Sequence, residues 1–263
     1  MKDQEILEHM ATARTAAEEA GEIALSFFRT PMTVEDKMPG IVFDPVTEAD
    51  RGVEEYIRKA LSDRYPDHAI LGEEFGETGD GDIRWIIDPI DGTRAFVSGV
   101  PAWGILIGLT ENDTCLAGLM HQPFTGETFV GGPEGTFLHR NGSTTKLQAR
   151  ADAVLDDATI YSTHPMLFEH TKHSDAFNNL SAHCRLQRFG GDCYSYCLLA
   201  HGCIDLVVEG FLQSYDIVPL VPIVEQAGGV ITDIDGNAPM NGGTVIAAAN
   251  ARLHEIALKM MNE

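Results

Sequence analysis

The segment Trp85–Phe96, which reads WIIDPIDGTRAF, limits the fold and function of the chain more than any other. It begins with an apolar run typical of a strand, and the carboxylates Asp88 and Asp91 follow, three residues apart. Because Pro89 cannot donate to a sheet ladder, we predict that the strand ends there with both carboxylates at its carboxyl end. The segment therefore predicts an acidic site at the edge of a sheet.

The residues after Pro89 complete a candidate site for metal ions beside phosphate. The carbonyl group of Ile90 can face the same point as the two carboxylates. Gly92 and Thr93 can open a helix, whose first amides have no helical partners and whose dipole favours an anion. We therefore predict that Gly92 and Thr93 bind phosphate. Asp-x-x-Asp is also a common turn sequence, so the other acidic residues decide between the two interpretations.

Further acidic residues lie where an apolar element meets a turn. Glu73 follows the apolar residues 70–72, and Asp216 precedes the apolar run 217–224. Asp50 precedes a helical pattern, a position in which aspartate is also a common helix N-cap. For Asp50, capping and catalysis both stay open.

These segments resemble the inositol monophosphatase family, magnesium-dependent phosphatases that include the bacterial histidinol-phosphate phosphatases. The resemblance covers nearly the whole chain and rests mainly on residues 72–74, residues 85–96, and Asp216 with residues 225–229. It implies a mixed α and β fold, a five-layer αβαβα sandwich. It also implies a homodimer.

The resemblance implies a role for each acidic residue at the site. Asp88 is expected to bridge two metal ions; Glu73 and the Ile90 carbonyl complete the first metal site, and Asp91 and Asp216 complete the second. All these ligands are oxygen atoms, which favour Mg²⁺, with Mn²⁺ as a substitute.

The resemblance also implies which residues activate the attacking water. Glu73, and Thr93 paired with Asp50, are expected to orient and deprotonate it, with a third metal ion as a further option. Residues 29–46 are expected to form a loop or hairpin that carries Lys37 over the site.

Substrate choice is predicted from the second half of the chain. The segments around Asp192 and Tyr215 resemble the histidinol-phosphate phosphatases more than the inositol phosphatases. Histidinol phosphate carries an ammonium group, which Asp192 and Glu209 can pair with, and Asp216 is expected to contact substrate as well. As alternatives, Asp192 is a helix N-cap and Glu209 is a charge at a strand end.

The predicted function is hydrolysis of L-histidinol phosphate to L-histidinol and phosphate by metal-activated water, a reaction of histidine biosynthesis. One alternative is an inositol monophosphatase of broad specificity. An alternative of another class is an inactive regulatory protein that binds metal or a phosphorylated ligand.

Composition excludes several classes of partner. Lysine and arginine total 18 against 40 acids, so the net charge is 18 − 40 = −22, and no basic run is present. Nucleic acid and anionic membrane are therefore not expected as partners. The expected partner is a small phosphorylated metabolite. Neither a signal peptide nor a transmembrane stretch is evident, and the five cysteines form no Cys-x-x-Cys pair. We predict a cytoplasmic protein with reduced thiols.

Hydrophobic periodicity predicts alternating helices and strands. The predicted strands lie at 69–72, 84–88, 103–109, 114–120, 127–138, 158–163, 184–188, 204–208, 230–233 and 244–249. The predicted helices lie at 3–28, 50–65, 172–181 and 194–200, after Asp216, and from 251 onwards. A polar stretch at 141–158 predicts a division into halves 1–150 and 151–263, the first carrying most metal ligands and the second the specificity residues.

Overall fold

Two long helices form most of the amino-terminal region and pack against each other. The computed structural model describes residues 1–31, 34–36, 45–112, 114–168, 171 and 173–263. Helix α1 (Asp3–Phe27) buries a stripe of small and apolar residues, and helix α2 (Glu48–Arg64) packs along α1. Strands β1 (Val34–Asp36) and β2 (Pro45–Thr47) lie between these two helices in the sequence. The two strands pair antiparallel, as a hairpin requires. Lys37 lies outside the described residues.

An eight-stranded sheet follows. Its strands are β3 (Ala69–Gly72), β4 (Gly76–Thr78), β5 (Ile83–Asp91), β6 (Gly104–Glu111), β7 (Thr114–Gln122), β8 (Glu127–Gly132), β9 (Gly135–Arg140) and β10 (Ser143–Lys146). They lie in the order β10-β9-β8-β7-β6-β5-β3-β4, and only β3 and β5 pair parallel. The short helix α3 (Thr93–Val97) follows β5. The predicted helix start at Gly92 and Thr93 is therefore present.

Two predictions for this sheet were wrong. The single strand predicted at 127–138 is the hairpin β8–β9, because the chain turns at Pro133 and Glu134. Strand β5 also does not end at Pro89 but pairs with β6 as far as Asp91. The register shifts between Asp88 and Asp91, and this irregularity accommodates a proline that has no N–H to donate.

A second, five-stranded sheet lies in the carboxy-terminal region. Its strands are β11 (Thr159–Ser162), β12 (Leu186–Phe189), β13 (Leu206–Leu212), β14 (Val230–Asp233) and β15 (Gly243–Ala248), in the order β12-β11-β13-β15-β14. Its helices are α4 (Ser174–Ala182), α5 (Asp192–Ala200), α6 (Ser214–Ile217), α7 (Val221–Glu225) and α8 (Ala251–Met261). Single 3₁₀ turns occupy Leu155–Asp157, Pro165–Phe168 and Val218–Leu220. The strands and the other helices predicted here are present, with ends displaced by a few residues. The prediction of one helix after Asp216 was wrong: α6 contains Asp216, and a 3₁₀ turn separates it from α7, because Pro219 and Pro222 have no N–H to continue a helix.

The elements stack as five layers. Helices α1 and α2 cover one face of the eight-stranded sheet, and α5, α6 and α7 lie between the two sheets. Helix α8 packs on β14 and β15, with α4 beside it. The predicted αβαβα sandwich is confirmed, and the strands facing two helical layers are apolar on both faces. The division into halves at residue 150 stays a prediction. None of the helices in the described ranges combines the length and apolar character needed to cross a bilayer.

Glycines allow the middle layer to lie against the eight-stranded sheet. A Cβ atom on Gly118 would lie 2.7 Å from the carbonyl carbon of Pro219. A Cβ atom on Gly131 would overlap the backbone of Pro222 and Ile223. The segment 214–225 therefore rests directly on β7 and β8, and this contact determines where α6, at its start, meets the sheet.

We expect Gly131→Ala to destabilise the protein by about 2 kcal/mol, because the added methyl group overpacks against backbone that cannot move independently. Gly132→Ala on the same strand is the matched control, since its Cβ atom would make an ordinary contact at 3.5 Å with Ala117. Urea denaturation midpoints measure both effects. Equal midpoints for the two variants would contradict this account of the packing.

Candidate active site

Three carboxylates converge where the eight-stranded sheet meets the middle layer. One oxygen from each of Asp88, Asp91 and Asp216 lies within 4.8 Å of the other two. Residues three apart on a regular strand point to opposite faces of the sheet. Here Asp88 pairs with Leu106 and Asp91 pairs with Gly104, so an advance of three residues on β5 corresponds to an advance of only two on β6. The extra residue is a bulge, and it allows Asp88 and Asp91 to reach the same side.

Backbone amides orient the three carboxylates. The Ile90 N–H donates to Asp88 Oδ1 at 3.0 Å, and the Cys193 N–H donates to Asp91 Oδ2 at 2.8 Å. Asp216, in the first turn of α6, accepts the N–H of Gln213 at 2.6 Å. Because these donors belong to the main chain, the fold itself sets the directions of the carboxylates.

The electrostatics of the site favour bound cations. Burial raises the pKa of Asp88 well above its usual value, and the negative charges of Glu73, Asp91 and Asp216 raise it further. Burial likewise raises the pKa of Asp91, with Asp216 and Asp192 adding to the shift. A divalent cation would relieve this repulsion, and an all-oxygen ligand set fits Mg²⁺ or Mn²⁺. The residues present therefore fit the predicted metal.

Glu73 lies beside these three acids but is not a member of the group within 4.8 Å. It follows β3, and its N–H donates to the carbonyl of Ile87 on β5 at 3.2 Å. Its charge contributes to the raised pKa of Asp88, so the two side chains face the same region. The Ile90 carbonyl accepts the hydroxyl of Thr93 at 3.1 Å. The ligand roles of Glu73 and Ile90 stay predictions.

Asp50 is buried at the start of α2. Its Oδ2 accepts both the N–H and the hydroxyl of Thr47, at 2.8 and 2.6 Å. Thr47 is the N-cap and Asp50 the third helical residue of a capping box, so the alternative of an Asp50 N-cap was wrong. Burial raises the pKa of Asp50 to about 6. The hydrogen bonds from Thr47 lower this pKa, and the negative charges of Glu74 and Glu73 raise it. The predicted pairing with Thr93 is not among these bonds.

Gly92 requires the freedom that only glycine has. It lies in the left-handed region at φ 82°, and a Cβ atom there would lie 3.1 Å from Asp192 Cβ and 3.2 Å from the carbonyl oxygen of Ala102. The turn places the amides of Gly92 and Thr93 at the start of α3, directly after Asp91. Phosphate binding by these amides stays a prediction.

A second acidic pair lies beside the first group. The hydroxyl of Thr163 lies 3.1 Å from Asp192 Oδ1 and 3.0 Å from Glu209 Oε1, and the Thr163 N–H donates to the same Glu209 oxygen at 2.8 Å. Gly191 caps α5, and Glu209 is inside β13 and 2% exposed. Both alternative interpretations, the Asp192 cap and the strand-end charge, were therefore wrong. No local sequence pattern marks Thr163 as a residue of the site.

The pair is not satisfied by its hydrogen bonds. Glu209 Oε2 is buried and has no hydrogen-bond partner among the described residues. Burial raises the pKa of Glu209 well above its usual value, and the charge of Asp192 raises it further. Burial also raises the pKa of Asp192. An unpaired buried carboxylate is costly, so a cation would stabilise this second pair as well.

Comparisons with known proteins identify the class. The sequence model of the inositol monophosphatase family matches residues 6–263. A histidinol-phosphatase from Chlorobaculum parvum is 35% identical over 236 residues, 89% of each chain. An inositol monophosphatase from Mesembryanthemum crystallinum is 34% identical over 260 residues, 92% of this chain and 91% of the relative. The solved structure of an inositol monophosphatase from Zymomonas mobilis has a TM-score of 0.85 and 39% identity, covering 97% and 98% of the two chains.

The chain belongs to the inositol monophosphatase family, and it is a phosphatase of that type. Its histidinol-phosphatase and inositol monophosphatase relatives are similarly close, at 35% and 34% identity. Family membership therefore leaves the substrate open.

We expect the metal-free protein to be more stable at about pH 5.5 than at about pH 7.5. A carboxylate whose folded pKa is raised stabilises the protein below its unfolded pKa, and this stabilisation is lost as the pH rises through the folded value. For Asp50 the unfolded pKa is 3.8 and the folded pKa is about 6. This shift alone contributes about 1 kcal/mol to the difference in stability between the two pH values. Asp88, Asp91 and Glu209 act in the same direction.

Melting temperatures in EDTA measure this difference, with Asp50→Asn as a control in which it should shrink. Millimolar Mg²⁺ should raise the melting temperature more at the higher pH, because the ion binds deprotonated carboxylates of the folded site. A metal-free protein whose melting temperature rises with pH would contradict this account.

Proposed function

We propose that the protein is a Mg²⁺-dependent phosphomonoesterase that hydrolyses L-histidinol phosphate. One observation carries the choice of substrate, namely the pair Asp192 and Glu209, which share one hydroxyl group while Glu209 Oε2 has no partner among the described residues. A single hydroxyl proton cannot satisfy two carboxylates. The charge of Arg94 already acts on Asp192, and the ammonium group of histidinol would add a second positive charge and a donor for Glu209 Oε2.

The position of the pair supports this choice. A Cβ atom on Gly92 would lie 3.1 Å from Asp192 Cβ, so Asp192 lies close to the turn that follows Asp91, and its charge raises the pKa of Asp91. A phosphate ester at the first acidic group therefore extends towards Asp192 and Glu209. An inositol ring has hydroxyl groups instead, which carry no charge to offset that of the pair.

The proposed metal ligands are Asp88, Asp91, Asp216, Glu73 and the Ile90 carbonyl. When bound, two Mg²⁺ ions, or a third with them, supply charge to stabilise the phosphoryl oxygens and lower the pKa of the attacking water; Mn²⁺ is a substitute. We assign the phosphate to the amides of Gly92 and Thr93, and contact with the substrate also to Asp216.

Asp50 is the proposed proton acceptor, with Glu73 as a second carboxylate that activates the water and Thr93 as the hydroxyl that would orient it. Both Thr47 bonds go to Asp50 Oδ2, so Oδ1 is the atom we assign to the proton. Its pKa of about 6 suits a base that works near neutral pH. In this structure the Thr93 hydroxyl donates to the Ile90 carbonyl, so a proton relay to Asp50 would require that hydroxyl to turn and donate to Asp50 instead.

A broad-specificity inositol monophosphatase is the second candidate. The observation that favours it is the 39% identity to the Zymomonas mobilis inositol monophosphatase over nearly the full length of both chains. The metal and water assignments are the same for both candidates. A homodimer in the cytoplasm stays part of the proposal.

Phosphate release from L-histidinol phosphate and from myo-inositol 1-phosphate, measured in parallel in Mg²⁺ with Asp88→Asn as the blank, tests the substrate. We expect histidinol phosphate to be preferred. Glu209→Gln and Asp192→Asn should lower kcat/KM for histidinol phosphate by about tenfold or more, with little effect on inositol phosphate, because they remove charge that only the ammonium group uses. Glu255→Gln, an exposed carboxylate on α8, is the control.

Equal loss for both esters in Glu209→Gln would reject the ammonium assignment and leave the catalytic one standing. Faster hydrolysis of inositol phosphate by the wild type would favour the second candidate. If neither ester is hydrolysed, another phosphate ester or a binding role becomes the better explanation.

We expect Asp50→Asn to lower kcat by about a hundredfold or more without loss of stability at neutral pH. Asparagine retains an oxygen that can accept both Thr47 bonds, while it removes the buried charge and the proton acceptor. Thermal melts and steady-state rates on one preparation separate the two roles. An active variant with a lowered melting temperature would show that Asp50 only supports the helix.

A further inference from the structure

A buried ion pair on α2 contacts the turn that carries Glu73. Glu54 lies one helical turn after Asp50 and is fully buried. Its Oε1 accepts the Arg58 Nε–H at 2.7 Å, while its Oε2 accepts the N–H of Glu74 at 2.7 Å. Glu54 Oε1 also lies 3.3 Å from the N–H of Phe75. Both oxygens are therefore bonded to the residues that immediately follow Glu73.

Arg58 fixes the far side of the same turn. Its guanidinium donates to Thr78 Oγ1 at 3.1 Å and to the carbonyl oxygen of Gly76, and it lies 6.0 Å from the ring centroid of Phe75. The side chain is 13% exposed. Its planar group of donors thus joins Glu54 to two positions on the returning strand, an arrangement that lysine cannot reproduce.

The backbone and the ion pair are fitted to each other. A Cβ atom on Gly72 would overlap the Glu54 carboxylate and lie 2.8 Å from Arg58 Nη2, so the strand passes over the pair at a distance that glycine permits. On the other side, the Glu73 N–H bonds to Ile87, the residue before Asp88. Glu73 is therefore fixed between the strand that carries Asp88 and the pair on α2.

We infer that Glu54 and Arg58 are positioning residues that place the Glu73 carboxylate for metal binding, an inference that rests on the proposed function. They contact neither substrate nor metal themselves. Helix α2 would then act on both sides of the reacting water. Its first turn carries Asp50, the proposed proton acceptor, and its second turn carries Glu54, which bonds to the turn after Glu73.

Isothermal titration of Mg²⁺ into the metal-free protein tests this inference directly. Glu54→Gln puts an amide group where one of the acceptors was, and Arg58→Lys keeps the charge but loses the planar fork. We expect the Kd for Mg²⁺ to rise by about tenfold in each variant, as is usual when a group that orients a metal ligand is lost. Glu55→Gln and Arg64→Lys, exposed neighbours on the same helix, are the matched controls and should bind Mg²⁺ as the wild type does.

Kinetics separate positioning from general support of the fold. The Mg²⁺ concentration for half-maximal rate should rise by the same factor as Kd, while kcat at saturating Mg²⁺ recovers and KM for the ester is unchanged. A lowered melting temperature with wild-type Kd for Mg²⁺ would overturn the inference. If Glu54→Gln does not fold, Arg58→Lys decides. A wild type that binds no Mg²⁺ would instead reject the metal site of the proposed function.

Discussion

The close approach of like charges is the constraint on which the rest of the site depends. Three carboxylates with oxygens within 4.8 Å of one another repel strongly at low dielectric, and burial adds to the cost. Such a group persists only if other parts of the fold define its geometry. The bulge between Asp88 and Asp91 and the three backbone amides supply this definition. A bound cation would relieve the remaining repulsion.

The eight-stranded sheet and the middle helical layer meet at this group, and both contribute residues to it. The Cys193 N–H from α5 bonds to Asp91 on β5, and Asp216 reaches the site from α6. Close packing at Gly118 and Gly131 fixes the segment that carries Asp216 against the sheet that carries Asp88. Global stability and site geometry are therefore coupled through the middle layer.

The sequence allowed prediction of those features that depend on local pattern. Asp88, Asp91 and Asp216 were found because each follows or precedes an apolar run at a turn. The strand end at Pro89 was wrong because a bulge removes the need for a proline donor, and only pairing with β6 reveals it. The capping box was a local signal, since Thr47 stands three residues before Asp50.

Thr163 could not be found in the same way. Its contacts with Asp192 and Glu209 require β11 to lie beside β13 and α5 to begin nearby. Asp192 is 29 positions away from Thr163 in the sequence, and Glu209 is 46 positions away. The same long-range geometry separates substrate choice from catalysis. In the proposed function, the acids of the metal group would serve any phosphate monoester, whereas the buried carboxylate pair that shares one hydroxyl would discriminate by charge. A ligand that offers no donor to that pair would leave Glu209 Oε2 without a partner among the described residues, so in the proposed function the preference for a cationic substrate would follow from the cost of burying that oxygen.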